Sequence, residues 1–255
     1  GARYGQFVTL AAGMETLPER FAAALAERGV AFLHAAAGPL ARAADGRWRV
    51  PLTAAGAALP PLEADAVVVA APAPAAAGLL AGVDAGLAAD LAAIEYAGSA
   101  VVSLGFPRDR VAHPLDAAGL VVPRSAGRRG LAVSFSSSKF PGRAPAGCVL
   151  LRVFVGGALD PETARLPDPA LETLAREEAA ALVGARGQPL VVQVDRWQGA
   201  MPQYHVGHLE RVARIERATA AVGGLAVAGA AYRGVGIPQV IASGTAAAAR
   251  LGIPG

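Results

Sequence analysis

The stretch Gly229-Ala230-Ala231-Tyr232-Arg233-Gly234-Val235-Gly236-Ile237-Pro238 has the residue types of a ligand-binding turn. Gly234 and Gly236 let the backbone come close to a ligand, because no Cβ stands in the way. Pro238 suits the first turn of a helix, where a missing N–H is harmless. A helix starting there has unpaired amides and a partial positive charge behind the loop, and both stabilise negative charge. A flat, electron-rich ligand fits this chemistry. An ordinary glycine-rich strand-to-helix turn fits the same residues equally well.

Other reactive side chains point to less. Of the four histidines, His34 and His113 are isolated and read as surface or capping residues. His205 and His208 are three apart, but no Cys or acidic cluster completes a ligand set, so structural roles are expected and no metal is assigned. A hydrolase reading fails because no Gly-x-Ser-x-Gly elbow occurs. Cys148 is the single cysteine. It lies in the apolar run 148–151 and reads as a buried, reduced thiol outside any internal disulfide, which suits the cytoplasm. Arg128 and Arg129 read as a solvated loop, with acidic lipid or substrate as the alternative contact.

Composition narrows the class further. Apolar residues make up 54% of the 255-residue chain but aromatics only 5%, so the mean hydropathy of +0.41 owes much to alanine. The greasiest stretch, 70–93, is cut by Pro72, Pro74, Asp84 and Asp90. It lacks the roughly 20 uninterrupted apolar residues of a spanning helix, and no transmembrane segment is expected. Net charge is only +3 and Lys139 is the sole lysine, an arginine bias that reads as the mark of an arginine- and alanine-favouring genome rather than of a nucleic-acid surface. The first residues lack the basic and apolar regions of a signal peptide, and the absence of an initial Met suggests truncation.

Several elements must position the glycine-rich loop. Met14, Leu17, Phe21 and Leu25 recur at helical spacing, predicting a helix that ends near Gly29. Val30 to Leu33 reads as a strand, Arg47 to Leu52 as another after the Asp45-Gly46 turn, and Ala66 to Val69 as a short buried strand. Two alanine-rich helices follow Pro72 and Pro74. Ser99–Phe106, Leu120–Val122, Leu131–Phe135 and Val149–Val155 then read as mostly antiparallel strands with Gly and Pro turns between them. A helix is expected over Pro169–Val183 and a strand over Leu190–Val194. The helix Gly207–Ala221 should turn Val212 and Ile215 inward. A buried strand at 225–229 leads into the loop, and Pro238 opens a last helix to Leu251.

Four ordered segments resemble the oxygen-dependent protoporphyrinogen oxidases of the FAD-dependent, amine-oxidase-like superfamily. Tyr232 to Pro238 with Ser243-Gly244 is similar to their C-terminal flavin signature. Gly13 to Pro18 is similar to a Gly-Leu-x-x-Leu-Pro segment, and Phe135 to Pro145 to a Ser-Ser-x-x-Phe-Pro-x-Arg-Ala-Pro run. Arg196-Trp197, Met201 to Tyr204 and Gly207-His208 are similar to a Pro-Gln-Tyr block. The resemblance spans nearly the whole chain.

It implies an α/β (mixed α+β) fold, in which part of an FAD-binding nucleotide fold is interleaved with a mixed-sheet substrate domain. Residues 1–72 and 206–255 would belong to the FAD-binding part and 73–205 mainly to the substrate part. It implies FAD contacts at Val235, Gly236 and Ile237, Trp197 against the cofactor, and the Val30 backbone near the adenine. Leu104, Leu120 and Phe140 would form apolar walls for a tetrapyrrole. No catalytic acid or base is assigned, since the cofactor carries the chemistry.

The implied activity is oxidation of protoporphyrinogen IX to protoporphyrin IX with dioxygen as acceptor, in heme and porphyrin biosynthesis. A coproporphyrinogen substrate, a carotenoid desaturase or amine oxidase activity, and a non-catalytic binding domain stay open as alternatives. The Gly-x-Gly-x-x-Gly loop that receives the FAD pyrophosphate is not in this sequence. A fragment dependent on an N-terminal FAD-binding segment, and inactive alone, is therefore the expectation. Peripheral contact with the inner face of the cell membrane and a homodimer complete the partners to be considered.

Overall fold

The computed structural model describes residues 8–253. In chain order the elements are α1 (Thr16–Glu27), β1 (Ala36–Ala37), β2 (Ala41–Arg42), β3 (Trp48–Ala54), β4 (Ala57–Ala64), β5 (Val67–Val69), α2 (Ala73–Leu80) and α3 (Ala85–Ala92). Then come β6 (Tyr96–Pro107), β7 (Gly119–Val121), β8 (Gly130–Phe135), α4 (Ser136–Lys139), β9 (Cys148–Gly156), α5 (Pro161–Ala164) and α6 (Asp168–Val183). The chain closes with β10 (Val191–Pro202), α7 (His208–Val222), β11 (Leu225–Val227) and α8 (Ile237–Arg250). No helix among the described residues is long and apolar enough to cross a membrane.

Contacts divide the chain into two compact units. One holds the residues up to Leu33 together with Gly98–Gln198, and the other holds His34–Ala97 with Gly199 onward. This division differs from one drawn at residues 72 and 205. The apolar faces of α2 and α3 explain the difference: Ala73, Ala76, Leu80, Leu87 and Leu91 share a core with Val212, Ile215 and Leu225.

The first unit is built on a five-stranded sheet in the order β10-β6-β9-β8-β7. Strands β6, β9, β8 and β7 pair antiparallel. In β9 burial alternates residue by residue, with Val149, Leu151, Val153 and Val155 inward and Leu150, Arg152 and Phe154 on the other face, as the two-residue repeat of a strand requires. The inward residues share a core with Leu171, Leu174, Ala175, Ala179 and Val183 of α6. Gly184 ends α6 in the left-handed conformation at φ 65°, and a Cβ there would lie 2.8 Å from that of Ala112. Cys148 is only half-buried; at the start of β9 it falls on the half-exposed side of the alternation. The buried thiol expected from its neighbours is corrected accordingly.

In the second unit β5 and β11 pair parallel, Val67 to Val69 against Leu225 to Val227. Strands β1, β2 and β4 all pair antiparallel with β3. Arg42 fastens this small sheet to the end of α7. Its guanidinium stacks 4.0 Å from the Trp48 ring centroid and donates to the carbonyls of Val222 and Gly223, where helix carbonyls lack internal partners.

The strand expected at Val30–Leu33 is not formed. The segment is irregular, the Val30 amide donates to the Leu25 carbonyl at 3.0 Å in the turn closing α1, and Phe32 and Leu33 are exposed. Its composition suits a strand, but a strand requires a ladder partner, and among the described residues it has none.

Candidate functional site

The glycine-rich loop connects β11 to α8 within the second unit. Gly229 enters it at φ 125°, its amide donating to the Ser243 hydroxyl of α8 at 2.9 Å. The Tyr204 hydroxyl bridges the loop, donating to the Ala230 carbonyl and accepting the Gly234 amide at 2.9 Å. The Tyr204 ring stacks on His208 at 4.0 Å, and buried His208 presents Nε2 to the Tyr232 carbonyl at 2.9 Å. Tyr204, just before α7, and His208, its first residue, are four positions apart, so a single short segment fixes three points of the loop. Burial raises the Tyr204 pKa above its ordinary value, while the Gly234 amide works in the opposite direction. Tyr204 therefore stays protonated and keeps both bonds at neutral pH.

Past the loop, α8 begins without a side-chain cap at Gly236, with Pro238 in its first turn and no acidic residue there. Its first-turn amides thus have no side-chain cap, and no acid offsets the partial positive charge there. The Gln239 side chain folds back over the loop. A Cβ on Gly234, whose φ is 146°, would lie 2.7 Å from Gln239 Cγ. Gly236 has ordinary backbone angles, but a Cβ there would collide with the Gln239 amide oxygen. Val235 and Ile237 are half-exposed. Beneath the loop, Glu216 of α7 receives Arg233 at 2.6 and 2.9 Å and Arg250 at 2.9 Å. The Arg233 bond holds the Glu216 carboxyl below its ordinary pKa, and Glu216 raises that of Arg233.

The first unit carries a separate cavity of about 480 Å³ on the sheet face away from α6, lined by Ser103, Ser134, Phe140, Arg152, Phe154 and Asp195 among others. Phe140 lies here. Leu104 and Leu120 do not: Leu104 is 0% exposed in the α6-side core, and Leu120 packs against the same core opposite Val133. The period of two puts Ser103 on the cavity face and Leu104 on the core face, so neither leucine expected as a substrate wall lines this cavity. Trp197 follows Gln193 and Asp195 at two-residue steps on β10 and is 56% exposed.

The loop stands out in the sequence; how it is held does not. Tyr204 and His208, which the sequence marks only as members of the Pro-Gln-Tyr block, hold backbone atoms of the loop, and the Gln239 side chain lies over its glycines. His113 accepts the Leu115 amide at 2.9 Å through Nδ1, and exposed His205 meets Glu95 at 3.1 Å.

Residues 2–252 match the family described as flavin containing amine oxidoreductase. The chain is 37% identical over 187 residues to the coproporphyrinogen III oxidase of Bacillus subtilis, covering 73% of this chain and 39% of that protein. It is 33% identical to the protoporphyrinogen oxidase of Bos taurus over 98% of this chain and 52% of that one. A candidate protoporphyrinogen oxidase from Exiguobacterium superposes with a TM-score of 0.81 at 28% identity, over 95% of this chain and 51% of that structure. The chain therefore spans about half the length, or less, of the curated relatives it matches.

Proposed function

The chain belongs to the flavin containing amine oxidoreductase family, and from this we propose that it is part of an FAD-dependent enzyme that oxidises a porphyrinogen with dioxygen in heme and porphyrin biosynthesis. Protoporphyrinogen IX is the first substrate reading. Coproporphyrinogen III is the second, favoured by the similarity to the Bacillus subtilis protein.

The observation that carries the proposal is the construction of the loop. An uncapped helix start lies behind glycines that a Cβ would close, and Tyr204 clamps the loop in place. These residues fit the pyrimidine edge of a flavin, where reduction accumulates negative charge. Val235, Gly236 and Ile237 would hold that edge. Trp197 and the Val30 backbone would contact the cofactor elsewhere. When bound, FAD supplies hydride acceptance from a porphyrinogen methylene bridge and passes the electrons to dioxygen, giving hydrogen peroxide.

The chain's own residues bind and orient. α8 would stabilise charge at the flavin edge, and the cavity lined by Phe140 and Phe154 would receive the macrocycle. Positioning is the catalytic contribution. A cytoplasmic location, with peripheral contact at the membrane, belongs to the same reading; the single unpaired cysteine is in keeping with it.

The test uses the complete protein loaded with FAD and mixed anaerobically with protoporphyrinogen IX or coproporphyrinogen III. Bleaching of the flavin spectrum is expected, followed on admission of air by porphyrin fluorescence and peroxide. Bleaching by a primary amine with neither porphyrinogen active would overturn the proposal.

A further inference from the structure

The floor of the first unit's cavity carries a polar row that neither the core nor the cofactor requires. Register sets Ser103 on β6 opposite Arg152 on β9, and Arg152 opposite Ser134 on β8. Residues directly opposite on paired strands share a face, so two hydroxyls flank one guanidinium. All three line the cavity beside Phe140 and Phe154. Arg152 is half-buried on the central strand of this sheet, so its charge is held at the cavity floor.

The charges of the lining are unbalanced. Arg143 and Arg152 contribute positive charge, and Asp195 is the only carboxylate among the described residues that line it. Asp195 accepts the Gln193 amide at 2.9 Å. Arg143 donates to neutral acceptors, the Thr9 hydroxyl at 3.4 Å and the Leu10 carbonyl at 3.2 Å, so its charge is not cancelled. Arg152 sits 5.5 Å from the Phe154 ring centroid, and among the described residues no carboxylate comes within salt-bridge distance of it. A guanidinium fork left open in a partly desolvated cavity matches a carboxylate in shape and charge.

We propose that Arg152, flanked by Ser103 and Ser134, anchors a carboxylate side arm of the substrate and makes this cavity select acidic tetrapyrroles over esterified ones. The inference rests on the porphyrinogen reading and adds a specificity residue to it. Arg152 fixes the macrocycle edge by a bidentate bond while the serines accept its remaining N–H groups or donate to the bound carboxylate.

The test measures binding of coproporphyrin III and of its tetramethyl ester to the FAD-loaded complete protein, by fluorescence quenching. Loss of a charge-assisted hydrogen bond predicts that Arg152→Met weakens coproporphyrin III binding by about 10- to 100-fold. Ester binding and the flavin spectrum should stay as in wild type. Arg152→Lys, which keeps the charge but not the fork, should recover part of the loss. Wild-type affinity for coproporphyrin III in Arg152→Met, or an equal loss for acid and ester, would overturn the inference alone. Failure of the wild-type protein to bind either porphyrin would overturn the porphyrinogen reading as well.

Discussion

Tyr204 carries more of the site's geometry than its exposed position suggests, because one hydroxyl satisfies both a carbonyl and an amide of the loop. Tyr204→Phe keeps the ring against His208 and removes only these bonds. FAD affinity should fall by about tenfold, with stability changed by about 1 kcal/mol, as for loss of an ordinary hydrogen bond; flavin titration and urea unfolding check the two numbers. Gly234→Ala tests the backbone itself. Its φ of 146° and the 2.7 Å approach to Gln239 leave no room for a methyl group, so flavin retention should drop further than in Tyr204→Phe. Retention at the wild-type level would show that the loop's shape is irrelevant to the cofactor.

At the scale of elements, burial and pairing decide what the residues alone leave ambiguous. The glycine-rich loop was legible because its glycines and Pro238 lie between a buried strand and a helical pattern. The faces of β6 are less legible: the largely apolar run from Ser99 to Phe106 masks the alternation that puts Ser103 on the cavity face and Leu104 in the core. Arg152 gave a signal, as a charge at an alternate position in an apolar strand. Val30 to Leu33 shows the converse, since strand-like composition does not supply a ladder partner. The supports of the loop were illegible because Tyr204 and His208 act on backbone atoms more than twenty residues away.

Two element-level predictions follow from packing and charge. Gly184 closes α6 at φ 65° beside Ala112, so Gly184→Ala should cost about 1–2 kcal/mol through left-handed strain, read as a lower urea midpoint. Glu216 joins α7, the loop and α8, and Arg233 lowers its pKa from 4.5. A lowered folded-state pKa gives stability that is present above pH 4.5 and is lost as the pH falls through the folded value. The stability advantage of wild type over Glu216→Gln should therefore hold at neutral pH and shrink below pH 4.5. An advantage that grows with acid would contradict the pairing.

At the scale of the molecule, each unit has its own core, yet the chain leaves large apolar side chains uncovered. No residue of α1 is buried, and Phe21, Phe32, Leu33, Val235 and Ile237 are all exposed. Surfaces of this kind bind partners or self-associate. The 255-residue chain alone should bind a hydrophobic dye and scatter light increasingly with concentration, whereas a clean monomer that ignores the dye would mean these side chains are covered in solution.

The account stands on the loop from Gly229 to Pro238 meeting a flavin, and amide hydrogen exchange of the complete protein with and without FAD measures that contact directly. Slowed exchange at Val235, Gly236 and Ile237 on adding FAD is the predicted result. Tight FAD binding that leaves exchange in this loop unchanged would contradict it.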